Sequence, residues 1–214
     1  MKQLFVMDPI ERIQVEGDST YALMLEATQR GWPVAYTTPG QLWLEKGETW
    51  ALVTPVSVAS EPPFFTPATP ERRPLSAYQV VWMRKDPPYD IEYVFCTYLL
   101  DLAGPETLVL NDPEALRSAN EKLYALQWPH LCPATLVTCD LDQGIAWARA
   151  RPERVVLKPW DGNGGHGVLV SSGGDGNLRA MLELLTEGGR RHVMLQDYVP
   201  EIVEGDKRII LVEG

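Results

Sequence analysis

Long hydrophobic runs are missing from this chain, and so is anything resembling an export signal. The N-terminal MKQLFVMDPIERIQ contains one short apolar stretch that meets Asp8 and Pro9 almost at once. That is too short for the apolar region of a signal peptide and far below the roughly 20 apolar residues of a membrane span. A soluble cytoplasmic protein is expected. Cysteine is scarce: Cys96, Cys132 and Cys139 are odd in number and have no CxxC spacing, so neither a disulfide framework nor a zinc site is indicated, and buried reduced thiols are expected. Positive charge is in deficit, with 19 Lys and Arg against 29 Asp and Glu, a formal net charge of -10. Nucleic acid and anionic membrane carry the same sign and are disfavoured as partners. The three histidines, His130, His166 and His192, have no mutual spacing that suggests a metal site.

What is present is ordinary globular composition. A chain of 214 residues, 45% hydrophobic and 22% charged, is long enough for one large domain or two small ones with a real core. LFVMD reads as a buried strand, and Asp18 with Ser19 can cap a helix through TYALMLEATQR that stops at Gly31. PVAYTT is a second strand. QLWLEKGETWALV alternates on both sides of Lys46-Gly47, as a hairpin at a sheet edge does. The proline-rich stretch from Ser60 to Pro74 has no clean period and is expected to be a loop. The strand YQVVWM, the helical run IEYVFCTYLLDLAG and the strand TLVLN make an α/β unit, which favours a parallel sheet whose ligands gather beyond the carboxyl ends of the strands. Met7-Asp8-Pro9 and Arg84-Lys85-Asp86 would lie there. Residues 1–119 are expected to form this first domain.

Asp112-Pro113 starts a short helix, and NEKLYALQW is expected to continue helical to Pro129. A different pattern follows: ATLVTCD, LDQGIAWARAR, RVVLKP, GVLVSS, NLRAMLELLTEGG and HVMLQDYV give the order β-α-β-β-α-β, a two-layer α+β module placed at 120–199. Within it VVLKPWDGNGGHGVLVSS crowds Gly162, Gly164, Gly165 and Gly167 into one turn between two apolar strands. The literal GxGxxG here is followed by a strand, which excludes the dinucleotide-binding version, and no Gly-Lys-Ser/Thr closes it as a Walker A loop would. A glycine-rich loop between antiparallel strands can fold over the phosphates of a nucleotide, offering backbone N–H groups without side-chain obstruction. Lys158, on the strand entering that loop, would reach such a phosphate, and Lys122 is placed to approach it as well. QDYV, Gln196 to Val199, ends a strand before Pro200 and suits a hinge that offers backbone groups to an adenine edge. Each feature also has a plainer form: a flexible hairpin with a surface lysine, a solvated helix lysine, an ordinary strand end.

Taken in order along the chain, MDPI, MRKDPP (83–88), NDPEALRSANEKL (111–123), LKPWDGNGGHG (157–167) and QDYVPEIVEGDKRIILV (196–212) resemble prokaryotic glutathione synthetase, a family of ATP-grasp ligases. The resemblance implies an α/β fold. A parallel-sheet pre-ATP-grasp domain is followed by an α+β lid module, and residues 200–214 begin a C-terminal ATP-grasp subdomain that is incomplete here. It implies ATP-dependent joining of γ-glutamylcysteine to glycine through an acyl phosphate, in a cytoplasmic homo-oligomer. Lys122 and Lys158 would hold ATP phosphates, Gly162, Asn163, Gly164, Gly165 and Gly167 would cover them, and Gln196, Asp197, Tyr198 and Val199 would grip the adenine. Asp206 would lie on the nucleotide side and Arg208 beside the reacting carboxylate as a catalytic residue. Arg84 and Asp86 are the candidates for the peptide substrate. Mg2+ is implied, with ligands on late strands beyond this chain, so the chain alone is expected to be nearly inactive. The rival readings are a non-catalytic nucleotide-binding or interaction module and another ATP-grasp peptide ligase.

Overall fold

The structure, a computed structural model, describes residues 1–162, 164–207 and 209. The chain divides into two compact units, Met1–Asn120 and Glu121–Gly214. No helix among the described residues is long and apolar enough to cross a membrane.

The first unit is built on a mixed sheet. Its strands are β1 (Gln3–Met7), β2 (Val34–Thr37), β3 (Leu42–Glu45), β4 (Glu48–Val58), β5 (Phe65–Pro67), β6 (Glu71–Pro74), β7 (Val80–Arg84) and β8 (Leu108–Leu110), with helices α1 (Ser19–Gln29), α2 (Ile91–Asp101) and α3 (Pro113–Ser118). The order β2-β1-β7-β8 is parallel throughout, and β4 joins β2 in antiparallel sense with β3 at the far edge. All five residues of β1 are buried, because successive side chains enter different cores. Leu4 and Val6 pack with Cys96 and Leu100 of α2, while Phe5 and Met7 pack with Met24 and Ala27 of α1. Both faces of the central strand are thus covered, which is why it reads as an unbroken apolar run.

The helix ends follow their caps. The Asp18 carboxylate accepts the Tyr21 N–H at 2.9 Å, and Gly31, with φ +71°, follows the last turn of α1. Removing the cap in Asp18→Ala is expected to cost about 1 kcal/mol, to be read as a lower urea midpoint. At the β3–β4 turn Lys46 and Gly47 both have positive φ, +53° and +81°, the type I′ geometry that matches strand twist in a two-residue hairpin.

Two expectations fail. The stretch 60–74 is not a bare loop, since β5 pairs with Val56–Val58 and β6 with Trp50–Val53 of β4. An 11-residue β4 has room for several partners along its length, and Pro67 and Pro74 stand at the last positions of their strands, where a missing N–H is tolerated. Nor does the helix continue from Asn120 to Pro129. The helix α3 ends at Ser118 and short 3-10 turns follow at Tyr124–Gln127 and Pro129–Leu131. Tyr124, Trp128 and Leu131 are exposed, so no buried stripe rewards a longer helix.

The second unit has the order β9 (Thr135–Thr138), α4 (Leu141–Arg149), β10 (Arg154–Pro159), β11 (Leu169–Ser172), α5 (Leu178–Leu185) and β12 (Val193–Asp197). Its sheet runs β11-β10-β12-β9 with antiparallel neighbours. Val155, Leu157, Val193 and Leu195 form one core with Ile145 and Ala148 of α4 and Leu178 and Leu182 of α5. Strand alternation therefore turns Val156, Lys158, Met194 and Gln196, with Val137 and Thr135 opposite the last two, to the face away from these helices.

Candidate functional site

That second face carries a lysine that burial alone would not favour. Lys158 is partly buried, and its Nζ donates to Gln196 Oε1 at 2.7 Å, while Gln196 Nε2 donates to Thr135 Oγ1 at 2.8 Å. Its pKa lies below the usual lysine value, first because burial penalises the ammonium and second because the Lys122 ammonium is close enough to repel it. The Lys122 Nζ in turn donates to the Gly162 carbonyl and to the Glu121 carboxylate. Two cations are thus brought together at the root of the glycine-rich loop, an arrangement that an anion would relieve.

The loop needs its glycines for distinct reasons. A Cβ at Gly162 would lie 2.6 Å from Pro159 Cγ and 2.9 Å from the His166 carbonyl oxygen. Gly164, Gly165 and Gly167 have φ of +56°, +77° and +73°, a region L side chains seldom enter. The loop root is held from the other side by Asp161, whose carboxylate meets the Arg191 guanidinium at 2.5 Å. Arg191 also pairs with Glu187 at 2.9 Å.

The four hinge residues do not act alike. The Gln196 side chain faces Lys158, but Asp197 alternates to the helix-covered face, where it pairs with Arg151 Nε at 2.9 Å. Its N–H donates to the Ala134 carbonyl, and the Tyr198 N–H donates to the Arg154 carbonyl. Only the Val199 N–H lacks a partner among the described residues of this segment, and Pro200 follows it. Asp206 lies exposed beyond the 3-10 helix Pro200–Glu204. Asn163 and Arg208 lie outside the described residues.

In the first unit the carboxyl ends of β1 and β7 come together, with Met7 opposite Arg84. Asp8 accepts the Lys85 ammonium at 3.1 Å and the Asp86 N–H at 2.9 Å, which braces the RKDPP turn. Arg84 does not pair with Asp86. Its guanidinium is fixed by the hydroxyls of Ser19 at 2.7 Å and Thr20 at 3.0 Å, both at the start of α1. Among the described residues these acceptors are neutral, so the positive charge is aimed but not cancelled. Asp86 is exposed beside it.

No group of three or more His, Cys, Asp or Glu among the described residues is placed to hold a metal ion. Burial pushes the Cys96 thiol up to about 12, leaving a neutral core group rather than a nucleophile or thiolate ligand.

Residues 1–117 match the family model for the prokaryotic glutathione synthetase N-terminal domain, and residues 121–214 match that for the prokaryotic glutathione synthetase ATP-grasp domain. The chain belongs to the prokaryotic glutathione synthetase family. Among its curated relatives, the glutathione synthetase of Thermosynechococcus vestitus is 43% identical over 98% of this chain and 69% of its own length. That of Xanthomonas campestris is 44% identical over 98% of the chain and 66% of its own. The chain thus spans about two thirds of the length of the glutathione synthetases it matches. Among solved structures, the RimK domain protein ATP-grasp from Sphaerobacter thermophilus superposes with a TM-score of 0.59 at 19% identity, covering 94% of this chain and 65% of that one. The likeness is of fold, an ATP-grasp architecture.

Several residues, some around the glycine-rich loop of the second unit and some at the strand ends of the first, were not singled out by sequence reasoning. Thr135 and Arg151 come from distant strands and turns, Arg191 from a polar stretch before β12, and Ser19 and Thr20 look like ordinary helix starters. Only Asp8 carried a signal, a carboxylate at the carboxyl end of an apolar strand.

Proposed function

We propose that this chain forms the peptide-substrate unit and the ATP-binding lid of a glutathione synthase, which ligates γ-glutamylcysteine to glycine with conversion of ATP to ADP and phosphate. The observation that carries the reading is the pair Lys158 and Lys122 at the root of a loop in which Gly164, Gly165 and Gly167 have positive φ and present no side chain. Such a cradle fits a polyphosphate. When bound, ATP supplies the phosphoryl group that activates a carboxylate as an acyl phosphate for attack by an amine.

On this reading Lys158 and Lys122 neutralise phosphate charge, and Gly162, Asn163, Gly164, Gly165 and Gly167 close over it. The face of Val137, Val156 and Met194 packs the base, with the Val199 N–H at its edge. Gln196 holds Lys158 until phosphate replaces it, Asp197 and Tyr198 act through their backbone and packing, and Asp206 and Arg208 follow on the nucleotide and carboxylate sides. Arg84, held by neutral hydroxyls, receives a carboxylate of γ-glutamylcysteine, with Asp86 beside it. The described residues offer no ligand set for Mg2+, so no step is assigned to the metal within them. Residues 1–119 serve as the substrate domain, 120–199 as the lid module and 200–214 as the start of the following subdomain. A cytoplasmic homo-oligomer completes the reading.

The test is ADP formation by the protein at its native length. ADP release that requires both γ-glutamylcysteine and glycine is the expected result. If ADP forms regardless of either substrate, the ligase reading is wrong. ATP binding with no turnover under any substrate would leave a nucleotide-binding module in its place.

A further inference from the structure

We infer that Arg151 and Arg154, which precede and open β10, are positioning residues that fix the hinge after β12 and thereby set preference for adenine over guanine. The inference rests on the nucleotide reading above.

The ladder between β10 and β12 ends at the pair Val155 and Asp197. Beyond it the chain would be free to shift, yet a backbone group that reads a base edge must be held in place before the base arrives. Arg151 and Arg154 supply that restraint. The Arg151 guanidinium lies over the Trp147 ring, 3.2 Å from its centroid, donates to the Trp147 carbonyl at 3.1 Å, and meets Asp197 at 2.9 Å. A planar cation fixed by a ring, a carbonyl and a carboxylate has little rotamer freedom left. Arg154 accepts the Tyr198 N–H through its carbonyl and lays its guanidinium 4.0 Å from the centre of the Tyr198 ring.

Asp197 and Tyr198 are therefore each held by main chain and side chain together, and their N–H groups are consumed. The next donor, Val199 N–H, is the first left without a partner among the described residues, and Pro200 has no N–H to offer. An isolated donor at a base edge favours a ring nitrogen that accepts, as N1 of adenine does. It rejects guanine, whose N1 carries hydrogen and would leave two donors facing each other.

Calorimetric titration of the native-length protein with ATP, GTP and inorganic tripolyphosphate tests this. Arg151→Ala is expected to weaken ATP by about 10-fold, the scale of losing a charge-assisted contact with its stacked partner. It should shrink the ATP over GTP preference by a similar factor and leave tripolyphosphate unchanged. Arg151→Lys, which keeps the charge but not the planar stack, should recover part of the loss. Retained tripolyphosphate binding reports an intact fold. An unchanged ATP over GTP ratio in Arg151→Ala and in the Arg151→Ala, Arg154→Ala double variant overturns the inference, as does an equal loss of ATP and tripolyphosphate. A parent protein that binds ATP no better than tripolyphosphate removes the base-recognition reading itself, a failure distinct from that of the arginine pair.

Discussion

Lys158→Ala is expected to weaken ATP binding by ~100-fold or more, because on the proposed reading it removes one of two cations that neutralise the phosphates. The lysine is held partly buried beside Lys122, and among the described residues its hydrogen-bond partner is a neutral amide, Gln196. A neutral partner orients the ammonium without satisfying its charge, which leaves the site poised for an anion. The lowered pKa gives this prediction a second, independent readout. Between the depressed folded value and the ordinary lysine value of 10.5, the unfolded chain binds more protons than the folded one. Stability therefore rises with pH across that window, and the penalty of the buried ammonium persists below it. A bound polyphosphate reverses the balance by favouring the ammonium. ATP binding in that alkaline window should then take up protons, measurable by calorimetry in buffers of different ionisation enthalpy, and the uptake should vanish in Lys158→Ala. If the variant binds ATP as the parent does, Lys158 is a structural partner of Gln196 and the phosphate role fails.

Gly173→Ala should produce the largest loss of stability in the second unit, about 3 kcal/mol. A Cβ there would lie 2.5 Å from Arg149 Cα, 2.7 Å from the Ala148 carbonyl oxygen and 3.0 Å from its carbon. All three are backbone atoms at the end of α4, so no side chain can swing away. Either the strand end of β11 or the helix must move, and α4 is packed through Ala148 and Ile145 into the core. The neighbouring Gly174 has nothing within 4 Å of its Cβ position, and Gly174→Ala is expected to stay within about 0.5 kcal/mol. Urea unfolding of the two variants side by side separates close approach from loss of backbone freedom. Equal effects would mean that the contact at Gly173 is not what holds β11 to α4.

The glycine-rich loop and its lysine were legible from features local in sequence. Gly162 to Gly167 between two strands, with Lys158 four residues before Gly162, is a short-range pattern, since a hairpin loop and its entering strand are covalently adjacent. The parallel core of the first unit was equally legible. Buried parallel strands leave runs such as LFVM, and capped helices leave Asp18 and Asp112 at their starts. Each of these two carboxylates accepts an N–H from its own helix.

Other assignments needed the tertiary structure. That Arg84 is aimed by Ser19 and Thr20 depends on two segments about 65 residues apart meeting at one sheet end. That β5 and β6 are strands depends on the length of β4, because a three-residue strand has no periodicity of its own and exists only through its partner. The division of QDYV into one side chain facing the lysine, one facing Arg151 and one unpartnered amide depends on sheet register. A single-residue shift would exchange the faces of Gln196 and Asp197.

The sequence by itself thus determined the two kinds of architecture, the family and the glycine-rich loop. Each is written in local periodicity, caps and contiguous motifs, whose physics acts over a few residues. Only the tertiary structure decided which side chains face the same ligand space and which are spent on bracing it. Those contacts join Lys158 to Gln196, Asp161 to Arg191 and Arg151 to Asp197 across 38, 30 and 46 positions, and spacing along a chain carries no record of register or of which face of a sheet its helices cover.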